Sequence, residues 1–320
     1  MKRRDAVKHI LAGAALPLIG SCGVDRLLNP SFSSSAFSAS GAATLIGAGD
    51  LHATSAALAR RQRTAGLVRA VLDQDPAARA FMVGDLTHTG SLDEHLQYYD
   101  PTWGVFKDRT LFCMGNHDSE YSGKTGVGYN TYTQSPRYYA ENLGSWRIYS
   151  LNCSPASHGG ADAAEQTAWL QADLAANSDK QIAAMFHYPM FSSVCVYHTG
   201  LTGHPNDMTW KAKVGPWWKL LQAAGCEFAL SGHAHRYERL KPMRADGVVS
   251  SAGIRQFVVG TAGVMLRDIV PPAHPASEKI VLKHGVLRFD LLPDRYGWTF
   301  TDEWGAVRDQ GSQATRKVLT

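Results

Sequence analysis

From residue 44 onward the chain alternates short apolar runs with longer segments of mixed polarity. Residues 44–49 (TLIGAG) are apolar and stop at Asp50, and residues 55–72 carry a helix-compatible pattern that Asp75-Pro76 ends. Residues 80–84 (AFMVG) read as a buried strand stopping at Asp85. Ser91 and Glu94 have the spacing of a capping box, which opens a helix. Residues 110–114 form another apolar run, leading into Gly115-Asn116-His117. The middle of the chain reads as further sheet, with 147–152 its clearest strand. Asp162 and Glu165 repeat the N-cap spacing ahead of a helix carrying Trp169, Leu170 and Leu174. Residues 181–186 then lead as a strand to His187, Pro216 starts a helix through Leu221, and 228–230 lead to Gly232-His233. Strand-like runs at 256–260, 286–292 and 298–300 complete the pattern. No repeat and no second compositional regime divides the chain, so one layered α/β domain over 44–320 is expected.

Five of the apolar runs end in a polar motif. In order these are Asp50-Leu51-His52, Gly84-Asp85, Gly115-Asn116-His117-Asp118, a lone His187 in Phe-His-Tyr-Pro, and Gly232-His233-Ala234-His235. Ligands of open α/β sheets bind beyond the carboxyl ends of strands, where loops converge, so residues 185 positions apart can share one site. The motifs supply imidazoles, carboxylates and one amide, with no thiolate. That mixture suits first-row metals such as Mn, Fe or Zn and leaves the choice among them open. A pair of such ions is a device for phosphate ester hydrolysis.

In this order the motifs resemble those of the calcineurin-like metallophosphoesterases, from about Thr44 to the C-terminus. Within that superfamily, Gly232-His-Ala-His-Arg-Tyr-Glu-Arg239 and His187-Tyr-Pro-Met-Phe-Ser192 look closest to the purple acid phosphatases. Gly285-Val-Leu-Arg-Phe-Asp and Val307-Arg-Asp-Gln-Gly-Ser resemble the same branch. The resemblance implies a four-layer αββα sandwich. It implies a first metal held by Asp50, His52, Asp85 and His235, and a second held by Asp85, Asn116, His187 and His233, with Asp85 bridging. A water shared by two cations gives up a proton readily and yields hydroxide for in-line attack on phosphorus. His117 is the expected proton donor to the leaving alkoxide, a task that suits histidine as a residue type. Its alternative role is to orient phosphate from behind the ligands. Asp118 reads as a loop cap, with a place behind the ligands or against substrate as the alternative, and without assigned chemistry.

The match to the purple branch is incomplete. His52 stands where that branch has glycine, and His88 stands where it has a metal-bound tyrosine. In protein phosphatases of the superfamily an aspartate at the latter position pairs with the catalytic histidine. His52 is expected as a ligand and His88 behind the ligands, with no tyrosinate-to-iron colour. His198 lies in a Tyr-His-Thr-Gly loop, as a substrate contact or an exposed loop residue; His158 and His204 are weaker rim candidates. His95, His274 and His284 read as surface or structural, and Trp169, Trp217 and Trp218 as core-packing. The expected activity is that of a phosphomonoesterase of acid or alkaline phosphatase type acting on small phosphoesters. The alternatives are a phosphodiesterase on the same metal core and, in another class, a lipoprotein that only binds metal or phosphate.

Composition adds an address. The 320 residues are 44% hydrophobic with a formal charge of +4. Lys2, Arg3, Arg4 and Lys8 against Asp5 place +3 of that within residues 1–21, leaving about +1 for the rest. No basic stripe of the kind nucleic-acid binding needs is present, so nucleic acid is not an expected partner. Residues 1–21 read as a signal peptide: a basic segment with a twin arginine, then an apolar run from Ile10 to Gly20 too short to span a bilayer. Ile19-Gly20-Ser21-Cys22 resembles a bacterial lipobox, which makes Cys22 a lipid anchor; the alternative is ordinary cleavage near Ser21 with Cys22 incidental. An exported protein, periplasmic or membrane-anchored, is expected. Residues 22–43 read as a flexible tether, being rich in Ser, Ala and Gly from 27 onward. Export permits disulfides among Cys113, Cys153, Cys195 and Cys226, although three of these sit in or beside apolar runs, where buried thiols are at least as natural. Pairing and oligomeric state are left open.

Overall fold

The computed structural model describes residues 41–119, 126–153, 161–193, 205–269 and 271–317. Residues 1–40, with the expected signal peptide, Cys22 and most of the tether, lie outside them. So do His158, Cys195, His198 and His204.

Two mixed sheets form the centre. The first has the order β13-β12-β11-β1-β2-β3, with β1 (Ala43–Ala48), β2 (Arg79–Val83) and β3 (Thr110–Cys113) parallel. It continues antiparallel through β11 (Gly285–Leu291), β12 (Arg295–Asp302) and β13 (Val307–Ala314). The second sheet has the order β10-β8-β9-β7-β6-β5-β4. Its parallel centre is β5 (Trp146–Ser150), β6 (Gln181–Met185), β7 (Phe228–Ser231) and β9 (Arg255–Val259). Strands β4 (Tyr139–Leu143), β8 (Tyr237–Leu240) and β10 (Ser277–Val281) pair antiparallel around it.

Period-two alternation explains the layering although nearly every central position is buried. On β7, Phe228 and Leu230 belong to the core between the sheets, whereas Ala229 belongs to the core beneath the outer helices. On β6, Ala183 and Met185 face one way while Ala184, with Phe186 just past the strand, faces the other. Phe228 stacks on Phe289 of β11 at 4.3 Å and 2°, and Tyr237 on Phe300 of β12 at 4.1 Å, so aromatic faces join the sheets. Helices Ala161–Ala176 and Pro205–Ala223 bury Leu170, Leu174, Trp217, Trp218 and Leu221 on the second sheet. The Leu58–Gln74 helix covers the first sheet with Ala65, Val68, Val71 and Leu72. The molecule is therefore the expected αββα sandwich. Among the described residues no helix is long and apolar enough to cross a membrane.

Some local expectations change. Ser91 caps Glu94 N–H at 3.3 Å, but the Glu94 carboxylate accepts from Thr89 N–H at 2.7 Å instead of closing the box. The α-helix there is only Leu92–Glu94 and runs on as a π turn over His95–Tyr99. Pro216 lies inside the Pro205–Ala223 helix instead of starting it. It removes one backbone bond, but Val214, Trp217, Trp218 and Leu221 are buried around it and hold the helix on the sheet. Strand β13 escapes the apolar pattern because its residues alternate between half-buried and exposed at an edge. Cys113 and Cys226 are buried free thiols, and Cys153 is buried as well, which pushes its thiol up to about 11.

Candidate active site

The motifs follow the carboxyl ends of β1, β2 and β3 in one sheet and of β6 and β7 in the other. The backbone ladder continues past the strands: Asp50 N–H donates to Gly84 O at 2.9 Å and His52 N–H to Asp85 O at 3.0 Å. Gly49 N–H reaches Val259 O of the second sheet at 2.8 Å, drawing the two sheet ends together.

Beyond that point the chain bends sharply. Asp50, His52, Asp85, His233 and His235 all have φ between 44 and 66°, the left-handed region that side-chain-bearing residues rarely adopt. Each costs on the order of 1–3 kcal/mol, and such strain gathers at functional sites. The glycines of the motifs have a matching cause. A Cβ at Gly115 would fall within van der Waals distance of Asp85 Oδ1, and one at Gly232 within that of Asp50 Oδ2.

The donors converge in two groups. Donor atoms of Asp50, His52, Asp85 and His235 all lie within 4.8 Å of one another, as do those of Asp85, His187 and His233. Asp85 Oδ2 is 3.1 Å from His52 Nε2 and 3.3 Å from His187 Nε2, and Asp50 Oδ1 is 3.4 Å from His235 Nε2. Asn116 Oδ1 is 3.0 Å from His187 Nε2 and 2.9 Å from His233 Nδ1. Asp85 thus stands between the groups, and Asn116 completes the second. All seven expected donors come together.

Backbone groups aim them. His187 Nδ1 meets Val83 O at 2.8 Å and His235 Nδ1 meets Met265 O at 3.2 Å, which turns each Nε2 inward. His233 N–H donates to Asp50 at 2.8 Å, and His117 N–H to Asp85 Oδ1 at 2.8 Å. Asp118 caps more than its own loop. Its buried carboxylate accepts from the backbone N–H groups of Asp85 (2.7 Å), Leu86 (2.9 Å) and Gly115 (2.9 Å), tying the β2 loop to the β3 loop.

Burial pushes Asp50 up to about 8 and Asp118 up to about 7. Burial opposes the ionised forms of His187 and Asp85 too, but their mutual attraction holds His187 above and Asp85 below their ordinary values. Burial holds His233 and His235 well down, so both present neutral lone pairs. Buried carboxylates beside neutral imidazoles fit metal cations, which offset the desolvation of the anions.

His117 lies at the rim. Its Nδ1 meets the backbone O of His88 at 2.6 Å, and its ring centroid is 4.1 Å from that of His52. The inner group contains His52 and omits His88. His88 is exposed, 5.8 Å from the His52 ring. His95 and His284 are buried and structural. In the Arg-Tyr-Glu-Arg tail, Tyr237 and Arg239 bond Asp309 of β13, each at 2.7 Å, and Glu238 accepts from Ser193 N–H at 2.9 Å. That tail fastens the sheets behind the site.

An αββα sandwich with two donor groups sharing one strand-end aspartate defines a metal-dependent phosphoesterase scaffold. The chain belongs to the calcineurin-like phosphoesterase family, whose profile matches residues 43–237. Its fold is similar to that of a purple acid phosphatase from yellow lupin seeds (TM-score 0.63, 16% identity), covering 86% of this chain and 54% of that one. The chain therefore spans about half the length of the lupin enzyme. GAP50, the anchor in the inner membrane complex of Plasmodium, is similar over 86% of this chain and 90% of its own (TM-score 0.64, 12% identity). PhoD is similar over 86% and 68% respectively (TM-score 0.54, 10% identity). No curated protein sequence matches the chain.

Proposed function

We propose that the protein is an exported phosphomonoesterase with a dinuclear metal centre, acting on small phosphoesters. The observation that carries this is the convergence of the two donor groups on Asp85, with the His117 ring beside them. Asp50, His52, Asp85 and His235 would hold one ion, and Asp85, Asn116, His187 and His233 the other. The two ions, whether Fe, Mn or Zn, would supply Lewis acidity and a nucleophile at neutral pH. Asn116 contributes a neutral oxygen and limits the negative charge facing a phosphate dianion. His117, its Nδ1 tied to His88 O, turns Nε2 outward to protonate the leaving alkoxide.

The resemblance of the Gly232–Arg239 stretch to acid phosphatases, together with the likeness in fold to the lupin enzyme, supports monoester over diester turnover. Nitrophenyl monoester and diester substrates test this; diester cleavage with negligible monoester turnover would reverse the assignment. His117→Ala should lower turnover on the order of a hundredfold with metal retained. The twin arginine and the Cys22 lipobox support export with a lipid anchor. Labelled fatty acid should enter the wild type and not Cys22→Ser; equal labelling of both refutes the anchor.

A further inference from the structure

His88 fits neither superfamily template. Its backbone carbonyl meets His117 Nδ1 at 2.6 Å. The side chain instead joins a third constellation. One nitrogen from each of His52, His88 and His117 lies within 4.8 Å of the others, and the His88 and His117 ring centroids are 5.2 Å apart. This group sits at the mouth of the site, with His88 exposed and the other two half-buried. No carboxylate belongs to it, so it differs in chemistry from both inner groups.

We propose that His52, His88 and His117 form an outer site for a borderline transition-metal ion, zinc above all, and that its occupation switches the enzyme off. Three imidazoles with an open fourth position suit zinc, whereas magnesium, calcium and manganese favour oxygen donors. The hydrogen bond from His117 Nδ1 to a carbonyl is the arrangement metal-ligating histidines use, because it leaves the lone pair on Nε2. An ion taking that lone pair removes the place where His117 carries a proton. His52 is common to the outer and inner groups: its Nε2 faces Asp85, so Nδ1 would be its donor to the outer ion, releasing the ring's remaining proton to solvent and leaving the imidazole shared between the outer ion and the centre it controls. Exposure and only three protein donors make it a weaker site than the inner pair, filled at higher zinc.

The inhibitory half of this inference rests on His117 as proton donor; the binding half does not. Protein with its inner ions loaded is dialysed against rising zinc, and bound zinc is counted for the wild type, His88→Ala and His88→Gln. The wild type should bind one zinc more per chain than either variant. The zinc concentration for half-inhibition, each protein measured against its own uninhibited rate, should rise roughly tenfold or more in both variants. Equal zinc uptake by all three proteins overturns the outer site, whether or not the protein hydrolyses phosphoesters. Unequal uptake with unchanged half-inhibition overturns the control of His117.

Discussion

Replacing Asp118 with alanine should damage this protein more than any exposed substitution near the site. The carboxylate is buried and receives three backbone N–H groups from two loops, at 2.7, 2.9 and 2.9 Å. In Asp118→Ala those donors lose their partner in a place water reaches poorly. An unpaired buried donor costs about 1–3 kcal/mol, and three donors on one anion are not independent, so about 3–6 kcal/mol is expected. At about 2 °C per kcal/mol for a domain of this size, the melting temperature should fall by roughly 6–12 °C. Urea unfolding of metal-stripped protein, followed by tryptophan fluorescence, reads the effect without the stabilisation that bound ions add. Asp118→Asn should not restore stability, because its amide nitrogen would face at least one backbone N–H. Metal retention should fall in both variants, since the strap between the Asp85 and Asn116 loops is gone. A loss below about 1 kcal/mol in Asp118→Ala would refute the reasoning.

Other tests address separate parts of the structure. Phe228→Ala removes the ring stacked on Phe289 between the sheets and should cost roughly 3–5 kcal/mol in urea unfolding; a cost below about 1 kcal/mol would mean that the sheets repack. Gly232→Ala places a methyl against Asp50 Oδ2, so metal content measured by atomic emission should drop; full metal content would show that the loop can shift. His95 is buried, with Nδ1 on Ser91 O at 2.7 Å, and burial lowers it from its ordinary 6.5 despite the opposing charge of Glu94. Because the unfolded chain takes up this proton first, the contribution is full above pH 6.5 and is lost as pH falls from there towards the folded value. His95→Gln should therefore flatten stability against pH below that point, and identical slopes in the two proteins would contradict the assignment. Removing metal with a chelator should lower the melting temperature, by an amount equivalent to about 4 kcal/mol per ion at a thousandfold excess over Kd. An unchanged melting temperature would argue against bound ions.

The donor set was legible because each donor follows an apolar strand, and strand ends are where open sheets present ligands. That rule located the motifs, the family resemblance named the donors within them, and the glycines beside them follow from how closely neighbouring motifs approach. The helix carrying Trp169 and Leu170 was legible from the N-cap spacing of Asp162 and Glu165, both of which fall in its first turns. The reach of Asp118 across to the Asp85 loop left no such trace, because its partners there are backbone N–H groups that every sequence possesses. The carbonyls of Val83, His88 and Met265, which aim His187, His117 and His235, are equally silent in the sequence. Strand β13, at a sheet edge, was missed because an edge needs little apolar surface.

The chain by itself determined which side chains bring chemistry and that strands deliver them, since alternation and turn residues are local properties. Tertiary structure decided how they are shared. Only the meeting of two sheet ends sets Asp85 between His52 and His187, and only the convergence of the loops after β1, β2 and β3 brings His88 to the imidazoles of His52 and His117 while its carbonyl holds His117. Such sharing depends on distances between segments remote in the chain, which packing of the layers fixes and no local pattern encodes.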